Sequence, residues 1–223
     1  MNPDDLIHAA PEVRNIVAII VGGVPVADIV KSILLPSAAV LGKRMADRVE
    51  RMFEKTGKMV QDAGITPQSV SDKLIVEIVR GASLEDNENL HTMWAALLAN
   101  AASPDGTGKV RPGFIAILRQ MAPDEAAMLN WIFGQRTGQW TAPFNDPIPY
   151  MDLMNAYTNV GIPAKDDPFG FDACIQGLRA AQLIEPRLDT HNPLGVLKPP
   201  YSLTFRGLSF MFACRAPAPK PTT

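Results

Sequence analysis

The sequence predicts a mainly α-helical protein, an N-terminal helical bundle followed by a module of three helices and a small β-hairpin. Apolar residues recur at helical spacing through most of the chain, helix-start and helix-stop residues punctuate those stretches, and short strand-like runs are confined to 183–187 and 201–204. With 223 residues, 47% of them hydrophobic, the chain can bury a core and form one domain or two small ones. The expected division is a helical domain over 1–105, a second domain over 106–214 and a disordered proline-rich tail over 215–223.

At the N-terminus, Asn15 to Ala27 and Ser32 to Gly42 are two uncharged runs. Each is shorter than the roughly 20 apolar residues of a membrane span. Joining them places Asp28 and Lys31 near the middle, at about 2.5–3.5 kcal/mol each on an insertion scale, although their i,i+3 spacing lets them pair. A buried helical hairpin is the favoured reading. The alternative is a segment touching a membrane or a partner, with Ile16, Ile19, Ile20 and Val21 as candidate contacts.

Next, Leu41, Met45, Val49, Met52, Phe53, Met59 and Val60 put one long amphipathic helix over 38–62. Its outer face carries acid-before-base pairs, Asp47 with Arg51 and Glu54 with Lys58, as an ordinary solvated face would. Gly64 stops it. Thr66-Pro67 reads as the start of the following helix and Gly81 as its end, after Leu74, Ile75, Ile78 and Val79. Ser83 is the expected cap of the next helix, whose first turn holds Glu85, Asp86 and Glu88. From Leu90, the residues Met93, Trp94, Leu97, Leu98 and Ala101 make a core helix, and Ser103 to Gly108 reads as a flexible joint.

Past the joint, Phe114 to Met121 forms a short helix, and Ala122-Pro123-Asp124-Glu125 starts another that buries Met128, Leu129, Ile132 and Phe133. A proline-containing loop over 134–149 precedes a weaker helix at 150–159. Phe171, Cys174, Ile175, Leu178 and Ala181 line one face of the helix at 170–182. Two strand-like runs and a closing helix, Gly207 to Cys214, complete a winged-helix-like order. If such a module read duplex DNA, Gln176, Arg179 and Gln182 would face the groove, opposed by Asp172. Arg187, His191, Lys198 and Arg206 would reach phosphates. That footprint is sparse, so nucleic acid is the less favoured partner.

Function classes are narrowed chiefly by what the sequence lacks. A formal charge of -2 provides no global field toward nucleic acid or anionic lipid. Cys174 and Cys214 are too far apart for a metal knuckle, and a reducing compartment suits them. Asp4, Asp5 and Glu12 stand where a secretory signal needs positive charge, so the expected location is cytoplasmic, with membrane association as a variant. There is no HExxH, GxSxG or P-loop, and His8, His91 and His191 lie in unrelated contexts. Asp86, Glu88 and His91, the last read as a boundary residue, form the nearest approach to an acid/base cluster. Asp166-Asp167 and Asp124-Glu125 read as turn and helix-start residues. The expectation is a protein without catalytic residues, metal or cofactor.

Three stretches carry a resemblance: Pro36 to Gly42 leading into Asp47, Glu85 to Ala101 (EDNENLHTMWAALLANA), and Tyr201 to Cys214 (YSLTFRGLSFMFAC). In that order they resemble the Abi-alpha, or abortive infection alpha, family of bacterial phage-resistance proteins. The resemblance implies a role in abortive infection and supplies no catalytic residues. Two expectations follow: a non-enzymatic effector or sensor that acts through a protein partner, a second copy or a membrane, or a winged-helix DNA-binding regulator.

Overall fold

The computed structural model describes residues 10–26, 28–29, 39–104, 110–135, 147–159, 169–187 and 198–219. The described chain is mainly helical, with one antiparallel two-stranded hairpin. In order come α1 (Pro11–Ile20), α2 (Ala39–Asp62), α3 (Asp72–Leu84), α4 (Glu88–Ala102), α5 (Pro112–Gln120), α6 (Pro123–Gly134), α7 (Tyr150–Asn159), α8 (Gly170–Ala180), β1 (Ile184–Pro186), β2 (Tyr201–Leu203) and α9 (Phe205–Ala213). The chain divides into two units, Met1–Arg119 with Phe212–Thr223, and Gln120–Met211. The expected joint at 103–108 and the tail lie partly outside the described residues.

In the first unit, α2 packs against α1, α3 and α4, and α3 packs against α4. The apolar stripe of α2 does what its spacing implies, since Val49, Met52, Phe53 and Val60 are all fully buried. Its cations reach α4 and the turn before it: Lys55 Nζ lies 2.6 Å from Glu88 Oε1 and Arg48 Nη2 lies 3.8 Å from Asp86 Oδ2. Helix α4 is the centre of this unit, buried on nearly every side from Leu90 to Ala102. Thr56, fully buried on α2, lies between the two helices, its one hydroxyl proton shared between Met52 O at 2.8 Å on α2 and Ala95 O at 3.1 Å on α4.

Several expected boundaries move. Helix α3 starts at Asp72 rather than at Thr66-Pro67, because the chain before it is bonded outward: Gln68 N–H donates to Ala102 O at 2.9 Å and Val70 N–H to Ile20 O at 3.0 Å. Gly81 lies inside α3 and does not end it. The position admits no side chain, since a Cβ there would overlap the Trp94 ring, so glycine lets α3 and α4 approach. Ser83 does not cap α4. Its Oγ donates back to Arg80 O at 2.8 Å, and the cap is Asn87, whose Oδ1 accepts from the N–H of Asn89 and Leu90, each at 3.1 Å.

The N-terminal apolar run divides by helix phase. Val13, Val17, Ile20 and Val21 are buried, with Val13 against Gly57 of α2, whereas Ile19 is 48% exposed and Ile16 is intermediate. Ile20 and Val21 are therefore core residues and not surface contacts. Residues 30–38 of the expected hairpin lie outside the described residues. No helix among the described residues is long and apolar enough to cross a membrane.

The second unit is built from α6, α7, α8 and the hairpin. Pro123 and Glu125 start α6 as expected, the carboxylate accepting from Ala122 N–H at 2.9 Å. Met128, Leu129 and Ile132 are buried beneath it, and Phe133 is only intermediate. Phe171, Cys174, Ile175 and Leu178 form the buried face of α8. Strand β1 pairs with β2 in the register Ile184 to Leu203, Glu185 to Ser202 and Pro186 to Tyr201. Tyr201 turns its backbone the other way, exchanging two hydrogen bonds of 2.8 and 2.9 Å with Ile148, so the missing N–H of Pro186 is not needed for pairing.

Candidate functional site

Three polar clusters decide where chemistry or recognition can occur. One contains the acid/base candidates on α4. His91 is a core residue, 1% exposed, and not a boundary residue. Its Nε2 lies 2.8 Å from Arg48 O, and because a carbonyl only accepts, Nε2 carries the proton. Nδ1 is then the acceptor facing Lys55 Nζ at 3.4 Å, and Lys55 also donates to Thr92 Oγ1 at 3.1 Å. Burial pushes the His91 imidazole below its usual range, and the nearby Lys55 and Arg51 charges push it the same way. Lys55, by its hydrogen bond, holds the Glu88 carboxyl below the ordinary carboxylate range. These groups satisfy one another between α2 and α4, which makes the cluster a fastening rather than an open acid/base site. Asp86 stands apart on the surface, 83% exposed.

A second cluster joins Tyr150, Asp172 and Lys198. Tyr150 donates to Asp172 Oδ1 at 2.7 Å, and Lys198 Nζ lies 2.8 Å from the same oxygen and 4.5 Å from the Tyr150 ring centroid. Lys198 hydrogen-bonds Tyr150 as well. Those bonds from Lys198 and Tyr150 lower the Asp172 carboxyl, and Asp172 in turn raises the Lys198 ammonium. Phe171 packs edge-on to Tyr150 at 5.1 Å. Lys198, expected to reach a phosphate, is already paired here.

The third cluster is an open groove of about 490 Å³ between the end of α8 and strand β1, lined by Gln176, Arg179 and Gln182 on one side and by Glu185, Pro186 and Thr204 on the other. A particular turn builds it. Gln182 N–H donates to Arg179 O at 2.8 Å and Leu183 N–H to Leu178 O at 2.9 Å, closing α8 with the two bonds of a Schellman turn. That turn places Gln182 at φ +59°, in the left-handed region that glycine usually occupies. Thr204 holds the turn down, its Oγ1 donating to Gln182 O at 2.6 Å while accepting from Gly207 N–H at 2.8 Å at the start of α9.

Of the candidate DNA contacts, the structure brings Gln176, Arg179 and Gln182 into this groove. It adds Arg206, whose Nη1 donates to Gln182 Oε1 at 2.7 Å. Arg187 is committed elsewhere, at 3.1 Å from Glu185 Oε1 and 2.8 Å from Ser202 Oγ, so with Lys198 it drops out of the set of free cations. His191 and His8 lie outside the described residues, as does Asp166-Asp167. Among the described residues no cluster of His, Cys, Asp or Glu is arranged to hold a metal ion. Cys174 and Cys214 are both buried free thiols whose burial raises them far above the ordinary thiol range.

Sequence reasoning missed Asn100 and the left-handed Gln182. Asn100 is 6% exposed, and its amide donates to Ala96 O at 3.0 Å, Ala213 O at 3.0 Å and Arg215 O at 2.7 Å. The signal in the sequence is a polar residue within the otherwise apolar run Met93 to Ala102. The family model for abortive infection alpha matches residues 42–208 of this chain. No curated protein and no solved structure matches it.

Proposed function

The chain belongs to the abortive infection alpha family, and from that premise we propose that it defends a bacterial cell against phage by abortive infection. It acts as a non-enzymatic effector or sensor through protein contacts. The match across 42–208 carries this reading. Support for a binding role over a catalytic one comes from the polar clusters: on α4 the ionisable groups are occupied with one another, whereas the groove beside β1 presents side chains to solvent. The test is plating efficiency and culture survival at low and high phage dose, with an empty vector as control. Protection at low dose with culture collapse at high dose is the expected result. Survival of infected cells at high dose would exclude abortive infection.

A second reading, a winged-helix DNA-binding regulator, is favoured by one observation. The order α6, Ile148 bridge, α7, α8, β1, β2 places an extended segment between the first two helices that pairs with the far side of the hairpin. Such an arrangement is compatible with a winged helix. Against DNA binding, Arg187 and Lys198 are paired with carboxylates. A duplex mobility shift at low salt that Arg179→Ala abolishes would favour this reading, and no shift would remove it.

A further inference from the structure

We propose that the groove between the end of α8 and strand β1 is a binding site for the phosphate group of a small phosphorylated ligand. Several hydrogen-bond donors in the groove remain available. Arginine can only donate, so the two contacts to glutamine, Arg179 Nη1 to Gln176 Oε1 at 3.3 Å and Arg206 Nη1 to Gln182 Oε1 at 2.7 Å, fix the amide orientations. Each carbonyl oxygen is used by an arginine. Both NH₂ groups, and the remaining guanidinium N–H groups, are left as donors.

The acceptors in the groove are partly engaged, and the Glu185 carboxylate is offset by a neighbouring cation. Glu185 lies 3.1 Å from Arg187 Nη2, and Thr204 Oγ1 accepts from Gly207 N–H. A donor-rich surface whose two guanidiniums are bonded to neutral amides suits an oxyanion. Two amides and two guanidiniums exceed what the two oxygens of a carboxylate use, and the three free oxygens of a phosphate ester match them better. The partial negative charge at the end of α8, roughly half an elementary charge, is smaller than the full charge of Arg179 beside it.

The backbone points the same way. Gln182 occupies a left-handed position that glycine would fill without strain, and its side chain is the one that receives Arg206 and lines the groove. Size and charge favour a small ligand over duplex DNA. At about 490 Å³ the open groove has room for a small phosphorylated molecule. With Arg187 and Lys198 paired to carboxylates, Arg179 and Arg206 are too few for an ordinary duplex footprint.

The experiment is calorimetric titration of the full chain with inorganic phosphate and with a nucleoside 5′-monophosphate, against succinate and a short DNA duplex. Saturable phosphate binding is expected, weakened about tenfold or more by Arg179→Gln and by Arg206→Gln, each of which removes a charged hydrogen-bond donor. Gln182→Gly separates recognition from folding, because it should weaken phosphate binding while the melting temperature holds or rises. Absence of saturable phosphate binding overturns the proposal, as do equal affinities in the three variants. Succinate binding as tightly as phosphate would overturn the choice of phosphate. Tight, strongly salt-dependent duplex binding would overturn the choice of a small ligand. None of these results depends on phage protection, so this inference and the defence reading fail separately.

Discussion

The two units of this protein use the same polar residue types in opposite ways. In the first unit, the carboxamide of Asn100 is buried and its NH₂ is shared among backbone carbonyls, and the His91 ring is closed between Arg48 and Lys55. In the second, the carboxamides of Gln176 and Gln182 have their oxygens turned to arginine and line an open groove. Helix ends repeat the contrast. Helix α2 closes on Gly64 at φ +61°, with Gly64 N–H to Gln61 O at 3.0 Å and Ile65 N–H to Val60 O at 3.1 Å, and α8 closes on the same pair of bonds with Gln182. The polar side chains of the first unit are turned inward and fasten it, whereas Gln182 keeps its side chain outward on a left-handed backbone, as the proposed phosphate site requires.

The strongest challenge to that contrast is Asn100→Ala. It leaves buried carbonyls without a donor and should lower unfolding stability by about 2 kcal/mol in a denaturant titration. A loss near zero would mean that Asn100 does not fasten the unit. Exchanging the helix-end residues sharpens the comparison. Gly64→Gln places a side chain in the left-handed region and should cost about 1–2 kcal/mol. The reverse exchange, Gln182→Gly, relieves that strain and should raise stability by about 1 kcal/mol, read as a higher melting temperature. If both exchanges destabilise, Gln182 is held for the fold and not for the groove.

A smaller effect is expected from pH. The His91 imidazole titrates below its unfolded value of about 6.5 because it is buried, with Lys55 and Arg51 beside it, and this outweighs the opposing hydrogen bond to Arg48 O and the Glu88 charge. The folded state therefore binds fewer protons than the unfolded state between those two values. Stability is present in full above about pH 6.5 and is lost as pH falls through the folded value. His91→Gln should flatten that part of the stability profile, measured by thermal melts across pH 5 to 8.

How much of this was legible in the sequence follows from the range of each interaction. The core faces of α2, α4, α6 and α8 depend on local periodicity, and their buried residues were readable from spacing alone. Glu125, three residues after the Ala122 cap position, was equally local. Gly81 looked like a helix stop because the same residue type ends helices and admits close packing, and only the Trp94 ring distinguishes the two uses. Ser83 and Asn87 are both good capping residues four positions apart, and the chain's path chose the second. In the groove, spacing placed Arg179 and Gln176 on one helix. The pairing of Arg187 with Glu185 and Ser202, and of Lys198 with Asp172, needed the hairpin's register and the packing around it. Asn100 is the least legible, since its partners outside α4 lie 113 and 115 residues away.

That separation also imposes an order of events during synthesis. The first unit includes residues from Phe212 onward, so it is not complete when its helices leave the ribosome. At about 5–20 residues per second, the 115 residues between Asn100 and Arg215 take on the order of ten seconds to be made. Throughout that interval the amide at the centre of the first unit lacks its distant carbonyl partners. The unit that begins first is therefore the one that finishes last.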